Sequence, residues 1–250
     1  MAAADPDTLI KEFFKRLDAL EELAHEITSR LTHGRWEPQV ERPFELVMVC
    51  TGNRVRSPVA EGFMRALTEG LPVRISSVGV LDLGPVPPLP EAIETAAAVG
   101  LDISGHRARC VLAEDLSSAD LVVGFERKHV ATAVVDAGAP RERTFAITEL
   151  ADLLELIDPP RATGPVEHAR QVVARAQGLR HHHAKLEELP DPLGGSQDVY
   201  RETIWQVREL TQRVAVGLFG ADRVTRLPAL ERGHVEPRRR RPVLRVARGG

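Results

Sequence analysis

Apolar residues follow two alternating patterns between residues 44 and 218 of the chain. The run from Phe44 to Cys50 is apolar except for Glu45, which is typical of a strand that is buried on both faces of a sheet. Longer segments carry apolar residues three or four positions apart, which is typical of helices with one buried face. The pattern predicts strands over residues 44–50, 73–78, 121–125 and 144–147, and helices over residues 58–67, 89–99, 127–136 and 197–218.

The order of these elements predicts the fold class. Strands that are separated by helices form a parallel sheet, because each helix returns the chain to the edge where the next strand begins. Right-handed crossovers then place helices on both faces of the sheet. The sequence therefore predicts an α/β fold with a flavodoxin-like, doubly wound sheet of four parallel strands.

The first 33 residues predict a separate helix, with Asp5 or Asp7 available as its N-cap. Two interpretations fit its heptad seam: a coiled coil that forms a homodimer, or a helix that lies across the chain's own domain. Three heptads are near the lower limit for predicting a coiled coil from pattern alone, which favours the second interpretation. The apolar residues of the seam stand at positions 10, 13, 17, 20, 24, 27 and 31.

Residues 151–188 fit the alternation of strands and helices poorly, because several prolines and a glycine interrupt them. A helical pattern over residues 167–178 predicts an insertion with its own helix. His181, His182 and His183 follow this helix. Adjacent histidines cannot all face one ion, and no cysteine or paired carboxylate stands near them at ligand spacing, so we predict a solvated turn and no metal site.

Composition limits the class of protein. The chain has 250 residues, of which 43% are hydrophobic and 4% aromatic, and its two cysteines, Cys50 and Cys110, cannot form a disulfide framework. Its longest apolar run, residues 214–221, is much shorter than the ~20 residues that cross a bilayer. The first residues lack the basic start and the apolar segment of a secretory signal. We therefore expect a cytoplasmic protein.

Charge is distributed unevenly along the chain. Residues 231–250 contain seven arginines and two glutamates, so the other 230 residues carry a net charge of −8 within a total of −3. An acidic body argues against a general nucleic-acid binder, which needs dense positive charge. The basic tail cannot bury apolar surface, so we expect it to be solvated, with binding to nucleic acid or an anionic membrane as the less favoured alternative.

The segment from Cys50 to Pro58 carries the strongest chemical signal. Cys50 ends a predicted strand, Gly52 and Asn53 tolerate unusual backbone angles, and a helix begins near Pro58. A loop between a strand and a helix N-terminus turns successive backbone amides inward, and the helix dipole adds positive charge at the same place. Such a loop binds an anion and favours a thiolate over a thiol.

Two further side chains in this segment suit the chemistry of phosphoryl transfer. Arg56 presents a planar guanidinium to two phosphate oxygens, and the Ser57 hydroxyl stabilises sulfur as a leaving group. The loop therefore predicts attack by Cys50 on phosphorus and a cysteinyl-phosphate intermediate. We expect no metal and no other cofactor, since the amides and Arg56 supply the charge stabilisation.

The segment resembles the signature of the low-molecular-weight protein tyrosine phosphatases, which is a cysteine, any residue, Gly-Asn, two variable residues and Arg-Ser-Pro. The resemblance continues through residues 76–79, 100–109 and 119–123 and ends near residue 218, so it covers about 175 residues, 44 to 218. It implies a phosphatase that acts on phosphorylated protein, with phosphotyrosine as the main expectation. The residues that match the signature are Cys50, Gly52, Asn53, Arg56, Ser57 and Pro58.

The same resemblance places a general acid in an Asp-Pro pair near the C-terminus. Asp191 lies between Pro190 and Pro192, and the two rings stiffen the loop that aims this short carboxylate. Asp158, which precedes Pro159, is the weaker candidate because it lies inside the predicted insertion. We predict Cys50, Arg56 and Asp191 as catalytic residues, and Thr51, Gly52, Asn53, Arg54, Val55, Arg56 and Ser57 as the phosphate-binding loop.

The chain departs from the family at positions that affect specificity. Val55 replaces a second cysteine that protects the nucleophile in many members. Arg54 matches neither the hydrophobic residue common in tyrosine-specific members nor the threonine of arginine phosphatases. Three interpretations of Arg54 stay open, namely contact with the substrate phosphate, contact with an acidic flank of the substrate, or exposure to solvent. Few aromatic residues are available to hold a phenol ring, although Leu81, Leu83 and Leu193 could line an apolar slot.

Three alternative functions follow from these departures. A non-catalytic module could use the loop to bind phosphorylated partners, although such a module needs no thiolate and acid together. A phosphoarginine phosphatase is less favoured. An arsenate reductase relays a disulfide through two further cysteines, and this chain has only Cys110 besides Cys50. The predicted organisation is a helical extension over residues 1–43, a phosphatase-like domain over 44–220 and a connector with a basic tail over 221–250.

Overall fold

A computed structural model describes residues 15–16, 20–24, 28, 42–160, 164–180 and 187–229 of the chain. The chain divides into two compact units, residues 1–41 and residues 42–250. The described residues of the first unit are helical, as the sequence predicts, and Leu20 and Leu23 are exposed. Both interpretations of the heptad seam stay predictions. The three consecutive histidines and the basic tail lie outside the described residues.

The second unit contains a sheet of four parallel strands in the order β2-β1-β3-β4. The predicted α/β fold with a doubly wound parallel sheet is confirmed. Each predicted strand is present, and its bounds differ from the predicted ones by one residue at most. The strands are β1 (Phe44–Cys50), β2 (Val73–Gly79), β3 (Leu121–Gly124) and β4 (Thr144–Ala146).

Six helices and two short 3-10 helices complete the described part of this unit. The four helices that the apolar spacing predicts are all present, with ends shifted by no more than two residues. The 3-10 helices span Val111–Ala113 and Arg141–Arg143. The α-helices are α1 (Arg56–Leu67), α2 (Pro90–Ala98), α3 (Arg127–Asp136), α4 (Ile147–Glu155), α5 (Pro165–Leu179) and α6 (Gln197–Phe219).

The position of β1 in the sheet explains why its sequence is apolar except at Glu45. Leu46, Met48 and Cys50 belong to the hydrophobic core on one face of the sheet, which α1 and α6 cover. Val47 and Val49 belong to the core on the opposite face, which α3 covers. Alternate residues of a strand point to opposite faces, so a central strand between two helical layers is apolar at nearly every position.

The stretch from residue 144 to residue 180 departs from the sequence-based prediction at one element. Helix α4 begins directly after β4, and the Glu149 carboxylate accepts a hydrogen bond from the Ala146 N–H. The apolar run of β4 continues into the buried face of α4, so periodicity alone did not separate the strand from this helix. Helix α5 contains the predicted 167–178 helix, and both α4 and α5 pack against α6.

The described ranges contain neither a membrane-spanning helix nor a cluster of metal-ligating side chains. No helix there is long and apolar enough to span a membrane. No group of three or more histidine, cysteine, aspartate or glutamate side chains there is arranged to hold a metal ion.

The packing of α4 against α6 predicts a contrast between two glycines. A Cβ atom on Gly217 of α6 would stand 2.7 Å from the Leu154 Cβ of α4, whereas a Cβ on Gly178 of α5 meets nothing within 4 Å. We expect Gly217→Ala to lower the free energy of unfolding by about 1–3 kcal/mol, since two helices must move apart. Gly178→Ala should leave it unchanged or raise it by up to about 1 kcal/mol. Urea unfolding measures both, and equal effects of the two substitutions would contradict the described packing.

Candidate active site

The candidate site lies where β1 ends and the chain turns into α1. Cys50 pairs with Gly79 of β2, and β1 lies between β2 and β3. From β1 the chain goes first to β2 on one side and then to β3 on the other, so the strand order reverses direction between β1 and β3. Such switch points form crevices at the carboxyl ends of parallel strands. The predicted phosphate-binding loop, residues 51–57, therefore occupies the place where doubly wound folds bind ligands.

Gly79 is required for the approach of this loop to the sheet. A Cβ atom at Gly79 would stand 2.8 Å from the Asn53 backbone nitrogen and 2.9 Å from the Thr51 carbonyl oxygen. Asn53 adopts a left-handed backbone with φ of 52°, which asparagine tolerates better than most residues. Helix α1 then begins without a side chain that caps its first N–H groups. These amides stay available to an anion.

Two donors point at the Cys50 sulfur, which is buried at 2% exposure. The Asn53 backbone N–H lies 3.2 Å from Sγ, and the Ser57 hydroxyl lies 3.0 Å from it. Both donors stabilise negative charge on sulfur. The structure thus brings Cys50 together with Ser57, which the sequence predicts as its support, and with a backbone N–H of the predicted loop.

The Asn53 side chain joins the loop to two other parts of the chain. Its amide nitrogen donates to the hydroxyls of Ser57 at 2.9 Å and Ser77 at 2.8 Å. Its amide oxygen accepts from the Arg109 backbone N–H at 2.9 Å and lies 3.0 Å from His106 Nε2. Burial lowers the pKa of His106 below its ordinary value. The sequence-matched segments 76–79 and 100–109 therefore meet at the loop and fix its backbone.

Arg56 is the buried charge at the centre of the site, with 1% of its surface exposed. One terminal nitrogen donates to Glu126 Oε1 at 2.5 Å and to the Leu189 carbonyl at 2.8 Å. The other donates to Asp191 Oδ2 at 2.5 Å and to Thr51 Oγ1 at 3.0 Å. The Nε–H is buried without a partner in the described part of the chain. An unpaired buried donor on a cation is suited to an incoming anion.

Asp191 reaches Arg56 from a position 135 residues further along the chain. Its second carboxylate oxygen accepts the Leu193 backbone N–H at 3.1 Å, which fixes the plane of the group. The other Asp-Pro residue, Asp158, follows α4, and its carbonyl accepts a hydrogen bond from Arg175 of α5. The geometry therefore favours Asp191 over Asp158 as the carboxylate of the site.

Glu126 is a site residue that sequence analysis missed. It follows β3, so its carboxylate lies at the same edge of the sheet as Cys50. Burial acts to raise the pKa of Glu126, but hydrogen bonds from Arg56 and Lys128 outweigh burial and hold this pKa below its ordinary value. Glu126 is therefore charged near neutral pH and compensates Arg56. Its position at the carboxyl end of a central strand was the one available sequence signal.

His129 on α3 is the second residue that sequence analysis missed. Its ring is fully buried, and Nδ1 accepts the backbone N–H groups of Phe125 at 3.3 Å and Glu126 at 3.1 Å. Its Nε2 lies 3.0 Å from Thr51 Oγ1. Burial, together with the charge of Arg56, lowers the pKa of His129 to about 4. The imidazole is therefore neutral near pH 7, with its proton on Nε2.

Of the remaining predicted loop residues, Arg54 lies at the rim of the site and Val55 lies in the core. The Arg54 Nε donates to the Pro87 carbonyl at 2.8 Å, and the residue is half-buried. Val55 is buried in the core beneath the loop. The leucines that the sequence suggests for an apolar slot are all exposed: Leu81 and Leu83, which follow β2, and Leu193, which follows Asp191.

The two cysteines are held apart by a strand. Cys50 pairs with Gly79 on one side, and Cys110 forms an isolated parallel bridge with Gly79 on the other. Neighbouring strands lie about 4.8 Å apart, so the two Cα atoms are separated by roughly 9–10 Å, beyond the ~7 Å limit for a disulfide. Both thiols are free. A direct disulfide relay between Cys50 and Cys110, as an arsenate reductase would need, is not available in this fold.

Comparison with known proteins identifies the family. The family model described as low molecular weight phosphotyrosine protein phosphatase matches residues 45–174. The chain belongs to this family. The resemblance that the sequence motif predicts is therefore confirmed, and the chain is a phosphatase.

Individual relatives of the phosphatase differ in their named activity. The low molecular weight protein-tyrosine-phosphatase Etp of Escherichia coli (strain K12) is 32% identical over 132 residues, which are 52% of this chain and 88% of Etp. A protein-arginine-phosphatase of Bacillus subtilis (strain 168) is 26% identical over 173 residues, 68% of this chain and 94% of the relative. The solution structure of a low molecular weight protein tyrosine phosphatase from Bacillus subtilis shares 26% identity with a TM-score of 0.52, and covers 70% of this chain and 96% of that one.

The buried neutral His129 predicts how stability depends on pH. In the unfolded chain a histidine takes up a proton near its ordinary pKa of 6.5, whereas His129 in the fold does so only at about 4. Between these values the unfolded state binds more protons, so the free energy of unfolding falls as the pH is lowered from 6.5 towards 4. His129→Asn removes this titration and keeps an acceptor for the two backbone N–H groups.

Urea unfolding of parent and His129→Asn at about pH 7.5 and about pH 5 measures the effect. We expect the parent to lose more stability than the variant on acidification. Equal losses would show that His129 is not held neutral in the fold.

Proposed function

We propose that the chain hydrolyses phosphotyrosine-type monoesters in proteins through a cysteinyl-phosphate intermediate. The observation that carries the proposal is the convergence on Arg56 of the loop around Cys50 and the carboxylate of Asp191, with the Arg56 Nε–H left free for an anion. A nucleophile, a phosphate-binding cation and an acid then lie together at one edge of the sheet. The cytoplasmic location expected from sequence is part of this proposal.

In the first step the substrate phosphoryl group binds to the loop amides and Arg56. The Cys50 thiolate attacks phosphorus, and a sulfur–phosphorus bond forms as the bond to the leaving oxygen breaks. Asp191 gives its proton to that oxygen, so the alcohol leaves neutral. Arg56 and the amides at the start of α1 stabilise the charge on the equatorial oxygens.

In the second step water attacks the phosphorus of the intermediate. Asp191, now ionised, accepts a proton from the water, and the sulfur–phosphorus bond breaks. Sulfur leaves as a thiolate, which the hydroxyl of Ser57 and the N–H of Asn53 stabilise through the contacts they already make. Inorganic phosphate is released, and Cys50 and Asp191 return to their starting forms.

The rim of the site favours phosphotyrosine over phosphoarginine. The exposed leucines at 81, 83 and 193 provide apolar surface for a ring. Arg54 adds a positive charge beside the loop, which disfavours the guanidinium of a phosphoarginine and attracts an acidic flank. The named activity of the Bacillus subtilis relative makes phosphoarginine the second candidate substrate.

Substitution of the nucleophile and the acid tests the reaction. We expect Cys50→Ser to abolish hydrolysis of a small aryl phosphate, and Asp191→Ala to lower kcat by roughly 10²–10⁴-fold while inorganic phosphate still binds. Cys110→Ser and Asp158→Ala are matched controls that lie outside the loop and should keep the parent activity.

Two outcomes of this assay would contradict the proposal. Parent activity no greater than that of Cys50→Ser removes the thiolate mechanism, and tight phosphopeptide binding without turnover would instead support a binding module. Full activity of Asp191→Ala would remove Asp191 as the acid.

Arg54→Met tests the specificity argument, because methionine keeps the reach of the side chain and removes its charge. We expect the ratio of kcat/KM for a phosphotyrosine peptide to that for the matching phosphoarginine peptide to fall roughly fivefold, as about 1 kcal/mol of charge interaction is lost. Arg175→Met on α5 is the control and should leave the ratio unchanged. A ratio that does not move with Arg54→Met would show that this charge does not select the substrate.

A further inference from the structure

The hydroxyl oxygen of Thr51 has two hydrogen-bond partners in the described structure. Arg56 donates one from a terminal nitrogen at 3.0 Å. The second partner is His129, whose Nε2 lies 3.0 Å away. The direction of this second bond depends on which ring nitrogen of His129 carries the proton.

The surroundings of His129 decide its tautomer. Its Nδ1 faces two backbone donors, the N–H groups of Phe125 and Glu126, so Nδ1 must be the unprotonated acceptor. The ring proton therefore lies on Nε2 and is donated to Thr51 Oγ1. The lowered pKa of His129 agrees with a neutral ring.

The number of donors around the Thr51 hydroxyl determines the direction of its own O–H bond. A hydroxyl has two acceptor sites and one proton. Both acceptor sites of Thr51 Oγ1 are filled, by Arg56 and His129, and the described residues offer no acceptor that takes its proton. The rotation of the hydroxyl is thus locked, and its O–H points away from both donors.

The locked hydroxyl lies beside the predicted anion site. Thr51 directly follows Cys50, and its Oγ1 contacts the same guanidinium whose Nε–H is buried and unpartnered. We propose that the Thr51 hydroxyl donates to an oxygen of the bound phosphoryl group as a catalytic residue, and that His129 is the positioning residue that holds it. This inference rests on the function proposed above and adds a side-chain donor to the backbone amides.

The physical advantage is a donor that is oriented before substrate arrives. A threonine hydroxyl normally rotates to suit its surroundings, so pointing it at a ligand costs entropy and reorganisation. Here two donors from rigid elements, α1 and α3, have already restricted it. A hydrogen bond from a preorganised donor to a charged oxygen changes a rate by roughly 10–100-fold.

Valine and serine at position 51 separate catalysis from packing. Thr51→Val keeps the shape of the side chain and removes the hydroxyl, whereas Thr51→Ser keeps the hydroxyl and removes a methyl group. With a small aryl phosphate we expect Thr51→Val to lower kcat roughly 10–100-fold and Thr51→Ser to stay within about threefold of the parent. Thr211→Val on α6 is the matched control, since the Thr211 hydroxyl is buried without a partner in the described residues. It should keep parent kinetics.

His129→Asn tests the positioning role through a double-mutant cycle. Asparagine keeps an acceptor for the two backbone N–H groups and loses the donor to Thr51. We expect His129→Asn to lower kcat without unfolding the protein, and the double variant with Thr51→Val to be no slower than Thr51→Val alone. Multiplicative losses in the double variant would show that His129 does not act through Thr51.

The inference is overturned if folded Thr51→Val, confirmed by circular dichroism, retains kcat within threefold of the parent. Should Thr51→Val fail to fold, an unchanged kcat in His129→Asn overturns it in the same way. Binding of inorganic phosphate, measured by calorimetry, separates this inference from the proposed function. If the parent binds phosphate without turning over aryl phosphate, the phosphatase mechanism fails, and Thr51→Val must still weaken phosphate binding for the hydroxyl contact to stand.

Discussion

The burial of one guanidinium is the constraint on which the site depends. Arg56 is 1% exposed, and a charge that is removed from water to this degree is strongly unfavourable unless it is paired. Glu126, Asp191 and the Leu189 carbonyl supply the pairing at distances of 2.5–2.8 Å. Removing any one partner would leave a buried N–H of Arg56 without its acceptor. The chain around Glu126 and the chain around Leu189 and Asp191 are therefore both tied to Arg56, the residue that we propose binds phosphate.

This constraint explains how the fold produces the site. The parallel sheet delivers Cys50 and Glu126 to the same edge, because β1 and β3 are adjacent and end at the same level. Gly79 lets the loop descend onto β2, and Asn53 ties the loop to the segment before β3. Helix α1 begins at the end of this loop, and no side chain caps its first N–H groups. The same backbone arrangement therefore determines the position of Cys50, the position of the Glu126 charge and the uncapped N–H groups of α1.

The sequence was sufficient to predict those elements whose pattern lies within a short stretch of the chain. The four strands, the loop from Cys50 to Ser57 and the Asp191 turn each carry their own pattern of apolar residues, glycine or proline. Helix α4 was missed because the apolar run of β4 continues into it without a break. Glu126 and His129 were missed for a different reason: their partners lie more than 60 residues away, and no spacing along the chain indicates such a contact.

Thr51 is a further residue whose side-chain contacts could not be predicted from the sequence. Sequence analysis placed it in the loop for its backbone, whereas the structure shows that its side chain contacts both Arg56 and His129. The number of bonds at one oxygen is a property of three-dimensional contacts. The sequence therefore identifies the loop of the site, but the contact between this loop and the buried His129 becomes visible only in the folded structure.

The central claim is that phosphate is transferred to Cys50 during turnover. Rapid mixing of the protein with an aryl phosphate, quenching in acid and peptide mass spectrometry test this claim most directly. The account predicts a phosphorylated peptide in which Cys50 carries the group, with more of it accumulating when Asp191 is replaced by alanine and the second step is slowed. Hydrolysis that proceeds with phosphate on a different residue, or with no phosphoenzyme in either protein, would contradict it.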